Sequence, residues 1–210
     1  MGDGLININE LAEDYSEKHI SALLALHAFT GADCKGKVRP MKILNQNSKF
    51  IQNFAEVGNS WELDEQIFSA VKEFTCRLYG FSRRIKKVDE AREIKVKKIC
   101  SSSLELLQDI SIDLSTFPPC KRVLSQHMRR VNFLVCVWKR THEQYPEIPS
   151  PLDHGFYINA ETGKLEPLWF EGDVIPKALV DVMAEEEIDE DDLTDEIHTN
   201  MNEEEEENDD

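Results

Sequence analysis

Apolar residues recur at helical spacing along most of this chain. Ile20, Leu23, Leu24 and His27 stand at i, i+3, i+4 and i+7, which predicts a helix from about Ser16 to Phe29 with those four on its buried face and Gly31 as a left-handed C-cap. Two short helices are expected over 38–44 and 48–57, the second with Phe50, Ile51 and Phe54 inward, Ser48 as cap and Gly58 as stop. Leu63, Ile67, Val71, Phe74 and Leu78 then mark a core helix over 63–79, capped by Ser60 and closed by Gly80. After Pro118-Pro119 comes the most regular element, a helix over 120–142 that buries Leu124, Met128, Val131, Val135 and Trp138.

Strand-like patterning is confined to the two ends. Leu5-Ile6-Asn7-Ile8-Asn9 alternates apolar and polar, and Phe156–Ile158 and Leu165–Phe170 flank Glu161-Thr162-Gly163-Lys164 as a hairpin does. Pro167 places the second strand at an edge. Pro146–Pro151 reads as an extended strap, one helical turn is allowed near Leu104–Leu107, and a last short helix is expected over 175–183. The expected architecture is a mainly α domain with a short N-terminal strand and a small C-terminal hairpin, followed by a disordered acidic tail. Its divisions fall at 1–80, 81–184 and 185–210.

Charge changes this picture only locally. The 210 residues carry a formal charge of −17, but residues 185–210 hold 16 of the 41 acids and no Lys or Arg. The body is therefore near neutral, with 25 acids against 24 basic residues, and a polyanionic partner is compatible with it. The tail is expected to compete with such a partner as an intramolecular mimic. Cys34, Cys76, Cys100, Cys120 and Cys136 form no C-x-x-C pair, so reduced thiols are expected rather than a disulfide framework or a zinc site. No signal peptide and no membrane-length apolar run is read in the sequence, so an intracellular protein, nuclear or cytoplasmic, with no membrane partner is expected.

Two basic surfaces stand out. Arg83, Arg84, Lys86 and Lys87 open a run to Lys98 in which eight basic residues face three acids. On the helix over 120–142, Arg122, Arg129 and Arg140 fall within about 20° of one another at 100° per residue, with Phe133 beside them. Each reads either as a solvated helix face or as a surface for DNA or RNA phosphates. Asp33 is a single carboxylate, whereas two-metal phosphodiester hydrolysis needs several. No nucleophile motif supports a catalytic residue.

Several segments together resemble a known family. His27–Asp33 (HAFTGAD) with Lys35-Gly36-Lys37 is similar to the H-A-[FL]-T-G-C-D-x-T-S-x-F-x-G-K-G-K signature of transposon-associated animal proteins that carry a PIN-like, flap-endonuclease-like domain. Residues 61–80 (WELDEQIFSAVKEFTCRLYG) and 117–138 (FPPCKRVLSQHMRRVNFLVCVW) resemble further segments of that family, as do PEIPSPLDHGFY and LEPLWFEG. The resemblance implies Asp33 as a metal ligand in a nuclease-like cluster and Lys35 and Lys37 in a turn gripping a nucleic-acid backbone. The sequence departs from the signature at Ala32, lacks several residues between Asp33 and Gly36, and starts one strand before the motif. The expected protein is therefore a non-catalytic remnant serving as an interaction module, with DNA, RNA or another protein as partner and no cofactor. The alternative is a Mg²⁺-dependent nuclease active only when completed by a missing half or a partner chain.

Overall fold

Helix spacing in the sequence becomes helix in three dimensions almost throughout the computed structural model, which describes residues 15–31, 38–103 and 116–171. Six α-helices are described: α1 (Glu17–Thr30), α2 (Val38–Asn45), α3 (Ser48–Glu56), α4 (Glu65–Leu78), α5 (Val88–Ser103) and α6 (Lys121–Lys139). A 3₁₀ turn at Pro151–His154 leads into β1 (Phe156–Ile158) and β2 (Leu165–Pro167). The two strands pair antiparallel, Phe156 opposite Pro167 and Ile158 opposite Leu165. A two-stranded sheet has only edges, so the missing N–H of Pro167 is tolerated. One compact unit runs through Phe170, and of the second, Glu171–Asp210, only the first residue is described. The expected N-terminal strand, the turn near Leu104–Leu107, the helix over 175–183 and the acidic tail lie outside the described residues.

Caps explain where the helices start. Ser16 accepts from the His19 N–H at 3.3 Å and starts α1. Asn47, not Ser48, caps α3 through Lys49 N–H at 3.0 Å. Asp64, not Ser60, caps α4, its Oδ1 taking the Gln66 and Ile67 N–H groups. Asp64 is preferred because its carboxylate also meets the positive end of the helix dipole. Cys120 supplies no side-chain cap to α6; Asp89 in the first turn of α5 does, accepting the Lys121 N–H at 2.9 Å. Gly31 has the positive φ expected of it (74°) but an extended ψ of 169°, so the chain leaves α1 directly instead of curling into a left-handed cap.

The core lies where α1, α3, α4 and α6 meet. Phe50, Phe54 and Phe74 are buried with Phe29 against them, and the rings meet edge-on or tilted at 4.8–6.1 Å between centroids. Two expected faces are corrected here. Helix α1 buries Ala22, Ala25 and Leu26, while Ile20 is 45% exposed and His27 is exposed beside Trp138. The sequence from Ala22 to Phe29 is apolar on nearly every side, and the alanine face lets α1 approach its principal neighbour, α3, more closely. Trp138, expected inside, is 36% exposed, whereas Phe133, expected outside, is buried. The 3₁₀ turn and hairpin fold back over that side of α6 and bring His154 and Phe156 against Phe133, with Trp61 of the segment before α4 beside them.

His127 joins α6 to α1 by donating its Nε2 proton to the Phe29 carbonyl at 3.0 Å. Burial holds its pKa below the ordinary 6.5, outweighing the hydrogen bond that would raise it. A depressed folded-state pKa means that stability is complete above 6.5 and is lost as pH falls through the folded value. Replacing His127 by Gln, whose amide can donate the same bond, is expected to flatten the decline in urea midpoint below pH 6.5. An unaltered slope would assign that decline wholly to carboxylates.

Candidate nucleic-acid interface

The sequence Ser82-Arg83-Arg84-Ile85-Lys86-Lys87 places one apolar residue between two pairs of cations. A turn closes over it, with the Ile85 N–H donating to the Ser82 carbonyl at 3.1 Å. Ile85 and Phe81 are half-buried against the core, and the four cations point away from that anchor and are exposed. Among the described residues, Arg83, Arg84 and Lys87 have no carboxylate within ion-pair distance, and Lys86 reaches Glu73 only at 3.9 Å. An apolar pin therefore sets the position of this loop while Arg83, Arg84 and Lys87 stay outside ion-pair distance of any described carboxylate.

The rest of that basic run does something else. Arg92 donates to the Pro118 carbonyl and Lys95 to that of Thr116, and both cations lie over the Phe117 ring. Lys97 pairs with Glu93 one turn away. These side chains fasten the approach to α6, so the exposed charge is concentrated in Arg83–Lys87.

Arg83 also lines a cleft of about 530 Å³ together with Arg39 and Lys42 of α2 and Arg77 of α4. The Arg39 guanidinium rests on the C-terminal turn of α4, donating to the Arg77 carbonyl at 3.4 Å beside Gly80. Arg77 is held from its own helix by Glu73, at 2.9 Å. None of the described residues lining this cleft is acidic.

The arginine stripe expected on α6 is not one surface. Arg122 and Arg129 are exposed, and Arg129 lines a smaller cleft of about 210 Å³ where Glu62, Glu65 and Asp153 balance it and Lys121. Arg140 is turned inward: its guanidinium lies 4.6 Å over the Trp61 ring and donates to the Cys136 and Gly58 carbonyls at 3.1 and 3.4 Å. Of the three, only Arg122 and Arg129 are in reach of a partner, and a cation stacked over an indole is not spare charge.

Helix α6 instead spends its polar residues internally. Asn132, 1% exposed, accepts from the Gly58 N–H at 2.8 Å and donates to the Ser60 and Trp61 carbonyls at 2.8 and 2.9 Å. Lys139 donates to the Ala55 and Val57 carbonyls, at 2.9 and 2.7 Å, and burial pushes its pKa down. Arg130 is buried beneath Trp169 and donates to the Gly155 and Leu168 carbonyls, which ties the hairpin to the helix. Asn132 could have been found in the sequence. It stands one turn after Met128 and next to Val131, a polar residue set among core positions.

Asp33, Lys35 and Lys37 lie outside the described residues, so the metal position and the lysine turn implied by the resemblance have no geometry here. Among the described residues no group of three or more His, Cys, Asp or Glu is arranged to hold a metal ion. No described helix is long and apolar enough to cross a membrane. Cys76 and Cys136 are buried free thiols, and burial raises the Cys76 pKa to about 11, which keeps it protonated and unreactive. Comparison of the chain with protein-family models, with curated proteins and with solved structures found no match.

Proposed function

We propose that this chain is a non-catalytic interaction module, a remnant of a transposon-associated PIN-like protein, that binds a nucleic-acid backbone through the Arg83–Lys87 loop. One observation carries the reading: four exposed cations stand around a single apolar anchor, and among the described residues only Lys86 meets a carboxylate, Glu73 at 3.9 Å. A loop fixed in this way presents charge without first having to order itself, so less entropy is lost on contact. The phosphate backbone supplies a matching line of anions, and each contact releases condensed counterions. Arg122 and Arg129 are left out of the interface because the acids around Arg129 offset its charge.

The test is a salt titration of the full chain on labelled DNA and RNA duplexes. The triple variant Arg84→Gln/Lys86→Gln/Lys87→Gln is expected to bind more weakly. Because each lost phosphate contact lowers the slope of log affinity against log salt by about 0.9, the slope should drop by about 2–3. Affinity and slope equal to those of the parent chain would falsify the assignment.

A further inference from the structure

The cleft beside this loop has features that a merely solvated surface lacks. Its cations come from three separate parts of the chain: Arg39 and Lys42 from α2, Arg77 from the last turn of α4, and Arg83 from the loop after it. Like charges gathered across tertiary structure repel one another, and a charge-neutral body offers enough acids to relieve them. None of the described lining residues is an acid, and Glu73, the one that touches Arg77, is itself buried. Arg77 lines the cleft with its Nε buried and without a hydrogen-bond partner. Leaving a guanidinium donor unsatisfied in this way is costly.

The remaining walls indicate the size and character of the occupant. Ile43 and Phe50 form an apolar floor, and the Gln46 and Asn47 amides stand at the rim. Asn47 uses its oxygen to cap α3, so its NH₂ group remains available to donate. A volume of about 530 Å³ is within the range of small-ligand sites and far exceeds a single phosphate.

We infer that this cleft is a binding site for a ligand carrying clustered phosphate groups on a body of nucleotide size, such as a nucleoside diphosphate or the phosphorylated end of a strand. Arg39 offers planar donors suited to phosphate oxygens, and Lys42 and Arg83 close the charge from either side, while Arg77 is already held by Glu73. The site does not depend on the duplex-binding reading of the loop, and the variants below separate the two.

Calorimetric titration of the full chain with inorganic pyrophosphate tests the site. The exposed pair Arg39→Gln/Lys42→Gln is expected to weaken pyrophosphate binding at least tenfold. Arg122→Gln/Arg129→Gln, on the other basic face, should leave it unchanged. Absence of pyrophosphate binding to the parent chain, or equal loss in both double variants, overturns the proposal. Titrations with ADP, and with a tetranucleotide with and without a 5′-phosphate, then identify the source. Preference for ADP supports a free nucleotide, and preference for the phosphorylated strand supports a strand end. Equal binding of the two strands without ADP binding overturns the site. The two readings fail separately: duplex affinity lost only in the loop variant, with pyrophosphate affinity lost in neither, removes the cleft and leaves the loop.

Discussion

Gly58→Ala is expected to cost about 3–4 kcal/mol of folding stability, of which about 1–2 is the penalty of a left-handed L-residue and the remainder overpacking. Gly58 has φ +80°, and a Cβ placed on it would lie 2.6 Å from Val135 Cγ1 and 2.8 Å from both Cys136 N and the Val135 carbonyl carbon. Two of those atoms are α6 backbone and cannot rotate away. For a domain of this size such a loss lowers the melting temperature by roughly 10 °C, and thermal or urea unfolding measures it. Gly163 is the internal control. It also has positive φ (65°), but nothing lies within 4 Å of its would-be Cβ, so alanine there carries the backbone penalty alone. Equal losses at the two glycines would show that the close approach to α6 contributes nothing.

Asn132→Leu is expected to be comparably damaging, at about 3–5 kcal/mol, although leucine is near asparagine in size and more apolar. The substitution removes three hydrogen bonds at once and strands the buried Gly58 N–H, whose only assigned acceptor among the described residues is Asn132 Oδ1. An orphaned buried donor costs about 1–3 kcal/mol by itself, more than the net value of the bond it loses. Because Gly58 and Asn132 serve one joint, the double variant should lose less than the sum of the single losses. Strict additivity in a urea-unfolding cycle would mean that the two positions act separately.

Local sequence information carried the helices well and the polar contacts badly. The periodicity of Ile67, Val71 and Phe74 and of Leu124, Met128, Val131 and Val135 identifies core faces because nothing competes with it at those positions. In α1, two apolar faces compete within Ala22–Phe29, and the choice between them depends on how closely α3 can approach. Helical phase places Arg122, Arg129 and Arg140 together, but which of them stays exposed is decided by segments far away in sequence, Gly58–Trp61 and the hairpin. The loop at Arg83–Lys87 was legible as charge. Its association with Arg39 and Lys42, more than forty residues earlier, depends on how α2 and α4 meet. Within 117–138, His127, Arg130 and Asn132 prove to be internal fasteners.

The way α6 holds residues 55–61 has an evolutionary side. Asn132, Lys139 and Arg140 grip mainly main-chain atoms of that stretch: the carbonyls of Ala55, Val57, Gly58, Ser60 and Trp61 and the N–H of Gly58. Main-chain groups are the same whatever the residue, so an exposed position such as Ser60 is free to drift between lineages while the helix that clasps it is not. Divergence should therefore accumulate at exposed positions of the clasped side such as Ser60, though not at Gly58, and be purged from the clasping side, a lopsided record written by which partner contributes backbone and which contributes side chain.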